Sequence, residues 1–287
     1  MKLASIFDNK ETIFSFEIFP PKKTSSIDTI YNTLEELKNL KPDFISVTYG
    51  AGGLEAGNSK TCEIASVIKH KYNIEPIAHL TCVNSRKDQV LAELEALKNN
   101  GIENILALRG DIVPDVERCE DFKYASDLIE FVKENGDFDI AAACYPEGHP
   151  AASSFAADIK NLKNKVDCGA THLISQLFFD NNSFYDFMEK CEIADIKVPI
   201  EAGIMPVTNK AQIERMVSLC GASLPSKFSK VMNKFGDNPE ALRDAGIAYA
   251  IDQIVDLISQ GVDGIHLYTM NNPYVAKRIS EAISTLL

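Results

Sequence analysis

Residues 104–111, Asn104-Ile105-Leu106-Ala107-Leu108-Arg109-Gly110-Asp111, run from an apolar, β-rich stretch into a cation, a glycine and a carboxylate. The apolar part reads as a buried strand and Arg109-Gly110-Asp111 as the loop at its C-terminal end, where α/β proteins usually place their chemistry. Runs of the same kind recur at 12–18, 43–49 and 76–82 before it, and at 138–144, 172–177, 199–205 and 264–268 after it. Between them, 26–40, 59–71, 87–99, 125–134, 153–166, 185–191, 210–220, 241–260 and 274–286 carry apolar residues three and four apart, with charges on the opposite face. Strands that alternate with helices imply a parallel sheet, and eight such units can close on themselves. The expectation is a single-domain α/β fold, a (β/α)8 TIM barrel spanning 1–287, with a helical insertion near 224–240. An open doubly wound sheet is the alternative, weakened because no GxGxxG follows an early strand.

The chain has 287 residues, an ordinary size for one such barrel, and a formal net charge of -12. That balance argues against a nucleic acid or an anionic membrane as partner, so an anionic ligand must find local positive groups. The seven cysteines are dispersed, with no CxxC and no Cys/His pair at metal spacing. They read as reduced thiols in core positions. No signal peptide and no membrane-length apolar run is recognisable, and the expected location is cytoplasmic. Walker A, GxSxG, HExxH and EF-hand patterns are all missing, which removes support for phosphoryl transfer, serine hydrolysis and zinc chemistry.

The candidate chemistry lies at strand ends. Glu17 sits in Phe14-Ser15-Phe16-Glu17-Ile18-Phe19, where a carboxylate among phenylalanines is costly to ionise and can serve as a proton donor. It could equally pair with a cation inside the barrel. Arg109 offers a donor fork, Gly110 close backbone approach and Asp111 a charge beside them, although as a lone tripeptide they also fit an ordinary loop with a surface ion pair. His79, Thr48-Tyr49-Gly50 and Tyr145 stand near other strand ends. In Cys144-Tyr145-Pro146-Glu147-Gly148-His149-Pro150, Tyr145 could cover a planar ring and His149 could donate to a phosphate or ribose; a stiff turn with a capping histidine is the plainer reading. Asp158 and Lys165 fall seven apart on one helix face, which is either solvated or turned to a cofactor. Gln176 and Gln212 are amides able to satisfy a heterocycle, or simply bonded to the barrel rim.

Taken together, FSFEIFPPK at 14–22, ISVTYGAGG at 45–53, AHLTC at 78–82, ILALRGD at 105–111, YASDL at 124–128, CYPEGHP at 144–150, KVDCGATHLISQLFFD at 165–180, GIMPVTN at 203–209 and HLYTMN at 266–271 resemble the methylenetetrahydrofolate reductase family. The resemblance implies a barrel that binds FAD, takes a hydride from NADH or NADPH and reduces 5,10-methylenetetrahydrofolate in a ping-pong scheme. It also implies that Glu17 is the general acid and Asp111 the carboxylate beside flavin and pterin. Flavin contacts would fall to Thr48, Tyr49, Gly50, Ala51, His79, Arg109, Gly110, Asp111, Tyr124, Ala125, Tyr145, His149, Ala152, Asp158, Asn161 and Lys165. Gln176 and Gln212 would meet the folate or the nicotinamide. Two positions depart from the family pattern: Asn272 stands where relatives commonly carry an arginine, and Met216 where many carry an aromatic. Those departures keep open a flavin-binding subunit that works only with a partner protein. A homo-oligomer and a flavin-free pterin barrel for methyl transfer also remain alternatives.

Overall fold

The computed structural model describes residues 1–21, 26–49, 60–111 and 119–287, except for the side chains of Gln212, Arg215, Ser218 and Leu219. Eight strands, β1 (Ile13–Ile18), β2 (Phe44–Val47), β3 (Glu75–Thr81), β4 (Asn104–Leu108), β5 (Asp139–Cys144), β6 (His172–Ser175), β7 (Ile200–Ile204) and β8 (Gly264–Tyr268), close into a barrel in chain order. Every neighbouring pair is parallel, and β8 pairs with β1 through Ile13–Gly264 to Glu17–Tyr268. The strands are wrapped by α2 (Asp28–Leu37), α3 (Lys60–Tyr72), α4 (Lys87–Asn99), α5 (Ala125–Asn135), α6 (Phe155–Cys168), α7 (Asn181–Ile193), α8 (Lys210–Cys220), α9 (Ser226–Phe235), α10 (Pro239–Ser259) and α11 (Pro273–Ile283). This is a (β/α)8 barrel. No helix among the described residues is long and apolar enough to cross a membrane.

The period-2 alternation of each strand divides its side chains between two cores. In β1, Phe14, Phe16 and Ile18 are buried in the large cluster formed with the helices, and each such burial contributes about 1.5–3 kcal/mol. Ile13 belongs instead to a smaller cluster with Phe44, Ile77, Leu106, Ala141 and Ile174. Leu3 completes that cluster from below. It enters on a short helix, α1 (Ala4–Phe7), whose approach is fixed by the Leu3 amide donating to Asn104 Oδ1 at 3.0 Å and the Ala4 amide donating to Asp139 Oδ2 at 2.6 Å. One turn is too short to show a period, which is why the sequence pattern gave no sign of it.

Helix boundaries differ from the periodic reading where a polar cap decides them. Helix α7 begins at Asn181 rather than 185, because Asp180 caps it by accepting from the Asn182 amide. Similarly, Asn238 accepts from the Ala241 amide and Pro239 opens α10, with α9 lying just before it.

Gly246 in α10 fixes how closely this helix approaches the end of β7. A Cβ built there would lie 1.8 Å from the Val207 carbonyl oxygen, and backbone cannot rotate out of its way. Gly246→Ala is therefore expected to destabilise the fold by about 1–3 kcal/mol, despite the better helix propensity of alanine. Urea unfolding checks this, and an equal or higher midpoint for the variant would contradict the close packing.

Candidate active site

Because Ile13, Ser15 and Glu17 share one phase of β1, Glu17 enters the barrel near its C-terminal mouth, while the phenylalanines around it in sequence face the helices. This corrects the reason for expecting an apolar pocket: the groups that face the carboxylate are imidazoles. Glu17 Oε2 lies 3.6 Å from His79 Nε2 and 3.7 Å from His266 Nε2, and its side chain keeps 18 % of its surface exposed. Burial pushes His79 down to about 4, against the smaller opposing pull of Glu17, so this imidazole is neutral at pH 7. The Glu17–His79 contact is not a cation–carboxylate pair under those conditions.

Tyr268, the last residue of β8, spans the mouth. Its hydroxyl donates to the Ser175 carbonyl at 2.7 Å, a reach that needs residue 203 to be glycine, since a Cβ there would lie 2.8 Å from the Tyr268 ring. Burial raises the Tyr268 hydroxyl well above its usual range, with Glu17 and Tyr145 adding to the effect. Tyr268 thus reaches from the Glu17 side of the mouth to the end of β6, with Tyr145 beyond β5 close enough to act on it.

On that other side, the loop after β4 is stitched to β3 by the Val83 amide donating to the Arg109 carbonyl at 2.8 Å. Gly110 has φ +85°, and a Cβ there would also crowd Thr81 at 3.1 Å. Arg109 is half-buried, and among the described residues its only side-chain hydrogen bond is a long 3.4 Å contact from Nε to the Gly110 carbonyl. Asp111 is exposed beside it. The Tyr145 and His149 rings meet edge to face at 4.5 Å. Burial raises the Tyr145 hydroxyl to about 12, while burial first and the Arg109 charge second lower His149.

Asp158 accepts from the His149 amide at 2.9 Å, which ties α6 to this turn. Lys165 is half-buried and donates to the Ala143 carbonyl at 2.9 Å; burial, reinforced by Arg109, lowers its pKa. The α6 face that carries Asp158 and Lys165 is therefore turned inward at both positions. A groove of about 290 Å³ opens beside His149, Ala152 and Phe155.

The structure gathers Arg109, Asp111, Tyr145, His149, Asp158 and Lys165 on one side of the mouth and pairs Glu17 with His79 on the other, with Tyr268 within electrostatic reach of both Glu17 and Tyr145. Thr48 and Tyr49 are half-buried just beyond β2, and Ala152 donates its amide to the His149 carbonyl. Tyr124 stands 63 % exposed where α5 begins, with its carbonyl against Cys82 and with Ala125 buried next to it. Asn161 is exposed on α6, one turn beyond Asp158. Gln176 lies just past β6, its Oε1 accepting from the Leu177 amide at 2.9 Å. Gly50 and Ala51 lie outside the described residues, as does the side chain of Gln212.

Several groups at or below the mouth escaped the sequence reading: Ser15, Glu201, His266, Tyr268, Thr269 and Asn271. Their signal is phase, since each of the strand residues falls on the inward parity of its strand. Thr269 donates its hydroxyl to the Glu17 carbonyl at 2.6 Å, and Asn271 bridges the Phe19 amide and carbonyl at 3.1 and 2.8 Å. These bonds close the β1–β8 seam directly above Glu17.

The rim also holds buried polar atoms without a hydrogen-bond partner among the described residues, the Tyr49 hydroxyl and His79 Nε2. Together with Arg109 and Lys165, they suit a ligand that brings both a polar heterocycle and an anionic group. The family profile described as methylenetetrahydrofolate reductase matches residues 2–284. The chain belongs to the methylenetetrahydrofolate reductase family. The 5,10-methylenetetrahydrofolate reductase of Escherichia coli K12 is 38% identical over 269 residues, covering 94% of this chain and 90% of that protein. Methylenetetrahydrofolate reductase (NADH) 1 of Arabidopsis thaliana is 34% identical over 285 residues, covering 94% of this chain but 48% of the plant protein. Among solved structures, a Clostridium thermocellum protein described as binding two copies of 5-methyl-5,6,7,8-tetrahydrofolic acid superposes with a TM-score of 0.68 over 100% of this chain and 99% of its own. At 14% identity that likeness concerns the barrel fold alone.

Proposed function

We propose that this chain reduces 5,10-methylenetetrahydrofolate to 5-methyltetrahydrofolate, with FAD as its bound cofactor and NADH or NADPH as the donor. The observation that carries this reading is the carboxyl of Glu17, held at the barrel mouth between two imidazoles and next to a rim of uncommitted donors. Thr48, Tyr49, Gly50, Ala51, His79, Arg109, Gly110, Tyr124, Ala125, Tyr145, His149, Ala152, Asp158, Asn161 and Lys165 would hold the cofactor. The Tyr49 hydroxyl and His79 Nε2, without hydrogen-bond partners among the described residues, fit a polar heterocycle, while Arg109 and Lys165 answer an anion that a chain of net charge -12 would otherwise repel. Bound FAD supplies a centre that accepts a hydride from the nicotinamide and hands one to the folate.

The protein's own part is to position and protonate. Glu17 delivers its proton to a folate ring nitrogen, which opens the five-membered ring to an iminium carbon ready for hydride. Asp111, exposed at the edge of the β4 loop, places a negative charge at the boundary between the two rings. Gln176 and Gln212 serve the folate or the nicotinamide in the place they occupy by turns. Asn272 is accounted for locally, because its Oδ1 accepts from the Val275 amide and caps α11. A missing arginine there therefore does not by itself call for a partner chain.

The purified full-length chain is expected to be yellow, to bleach anaerobically with NADH or NADPH, and to regain its flavin absorbance on adding 5,10-methylenetetrahydrofolate. Bleaching without recovery by folate would turn the reading toward a subunit that needs a partner. Absence of flavin would overturn it.

A further inference from the structure

Below Glu17, the barrel interior is polar where such interiors are usually filled by branched apolar side chains. Glu201 of β7, Ser15 of β1 and His266 of β8 are all completely buried. Ser15 Oγ lies 2.7 Å from Glu201 Oε1 and 2.6 Å from His266 Nδ1, while the other ring nitrogen of His266 faces Glu17 Oε2 at 3.7 Å and Ser46 Oγ at 3.4 Å. Among the described residues, Glu201 Oε2 has no hydrogen-bond partner. A carboxylate in this position would leave a charged oxygen buried and unpaired, so the neutral acid is the cheaper form. Burial raises Glu201 to about 7, opposed by His266 and Ser15 and assisted by Asp43 and Asp263 at the lower strand ends. Space for this carboxyl is kept by Gly264, where a Cβ would lie 2.8 Å from Glu201 Cγ.

We infer that Glu201 is an internal proton store for Glu17, connected to it through Ser15 and His266. This rests on the role given to Glu17 above. The serine has one hydrogen and two neighbours that can take it, so the line has two directions. In the first, Glu201 carries the proton and donates to Ser15, Ser15 donates to His266 Nδ1, and His266 Nε2–H points toward the Glu17 carboxylate. Once Glu17 has protonated the folate, each group passes one proton onward. Glu201 gives its proton to Ser15 Oγ, Ser15 gives its own to His266 Nδ1, and His266 gives the Nε2 proton to Glu17. The net change is one proton moved from Glu201 to Glu17, with no net charge created and nothing oxidised or reduced.

The 3.7 Å gap exceeds a hydrogen bond, so the last step requires Glu17 to swing inward by about 1 Å. His79 and Tyr268, the other titratable groups facing Glu17, do not compete, the first being neutral and the second holding its proton for the Ser175 carbonyl. His172, which faces the His266 side from β6, is pushed down to about 4 by burial and is neutral as well. When ligands cover the mouth, this line supplies a proton from the closed side. When they leave, water at the exposed edge of Glu17 recharges Glu201 through the same line in reverse.

The test uses the full-length, flavin-loaded protein and the variants Ser15→Ala and Glu201→Gln, both close in shape to the original residues. Each is expected to slow the folate half-reaction about ten- to hundredfold and to leave flavin reduction by nicotinamide unchanged. Wild type should show a solvent isotope effect that bows with deuterium fraction, as several protons moving together require, and Ser15→Ala should lose that bow. Independently of turnover, carbon-13 spectra of glutamate-labelled protein should contain one carboxyl that titrates near neutrality. That signal should vanish in Glu201→Gln and shift in Ser15→Ala. A folate half-reaction unaffected in both variants, or no neutral-range carboxyl lost with Glu201, would overturn the relay. If Glu17→Gln abolishes folate reduction while these variants do not, only the relay fails; if Glu17→Gln is also silent, the role assigned to Glu17 fails with it.

Discussion

Glu17→Gln is expected to lower the rate of folate reduction about a thousandfold while flavin reduction by the nicotinamide stays within about twofold of wild type. The carboxamide keeps the size of the carboxyl and the seam above it, so the Thr269 and Asn271 bonds to the backbone around residues 17–19 remain. It has no proton to release at accessible pH. Neither His79 nor Tyr268 can take over: His79 is held near 4 by burial, and the Tyr268 hydroxyl lies well above its usual range and is engaged with the Ser175 carbonyl. Nicotinamide oxidation requires no proton at the Glu17 position, so the two half-reactions should separate. Rapid mixing under anaerobic conditions, with each half-reaction followed at the flavin absorbance, makes the comparison. Equal losses in both would show that Glu17 shapes the site rather than serving as its acid.

The barrel was legible because its signals are local and repeated. Each strand is a short apolar run, each helix carries its own period, and eight copies leave little room for another topology. What the pattern could not show was which side of a strand faces the interior. Phe14 and Phe16 flank Glu17 in sequence but point to the helices, whereas Glu17 looks at histidines supplied by β3 and β8, far away in the chain. Those partners come from barrel closure and register, here Glu17 beside Tyr268, which no single segment encodes. The same limit hid Ser15, Glu201 and His266 as a group, although the inward parity of each could be counted once β1, β7 and β8 were aligned. Asp158 and Lys165 show the converse case. Their seven-residue spacing gave the shared face, and only the His149 turn and the Ala143 carbonyl decide that it turns inward.

Arg109→Ala and Lys165→Ala are each expected to weaken FAD binding about ten- to hundredfold, the loss typical of a charge-assisted hydrogen bond. The two cations sit in one field, since Arg109 contributes to lowering Lys165, so the double variant should depart from the sum of the single losses. A pH dependence distinguishes an electrostatic role from a packing one. In the wild-type chain His149 is lowered by burial and by Arg109, which keeps it neutral at pH 7. Removing Arg109 lifts the second influence, so His149 takes up a proton at a higher pH than before and partly replaces the lost charge. The deficit of Arg109→Ala should therefore be smaller at about pH 5.5 than at pH 8, and should shrink further in Arg109→Lys at either pH. Fluorescence titration of the apoprotein with FAD measures all of these. A deficit independent of pH and salt would mean that Arg109 acts by filling space at the β4 loop, because a charge at a half-buried rim must respond to both.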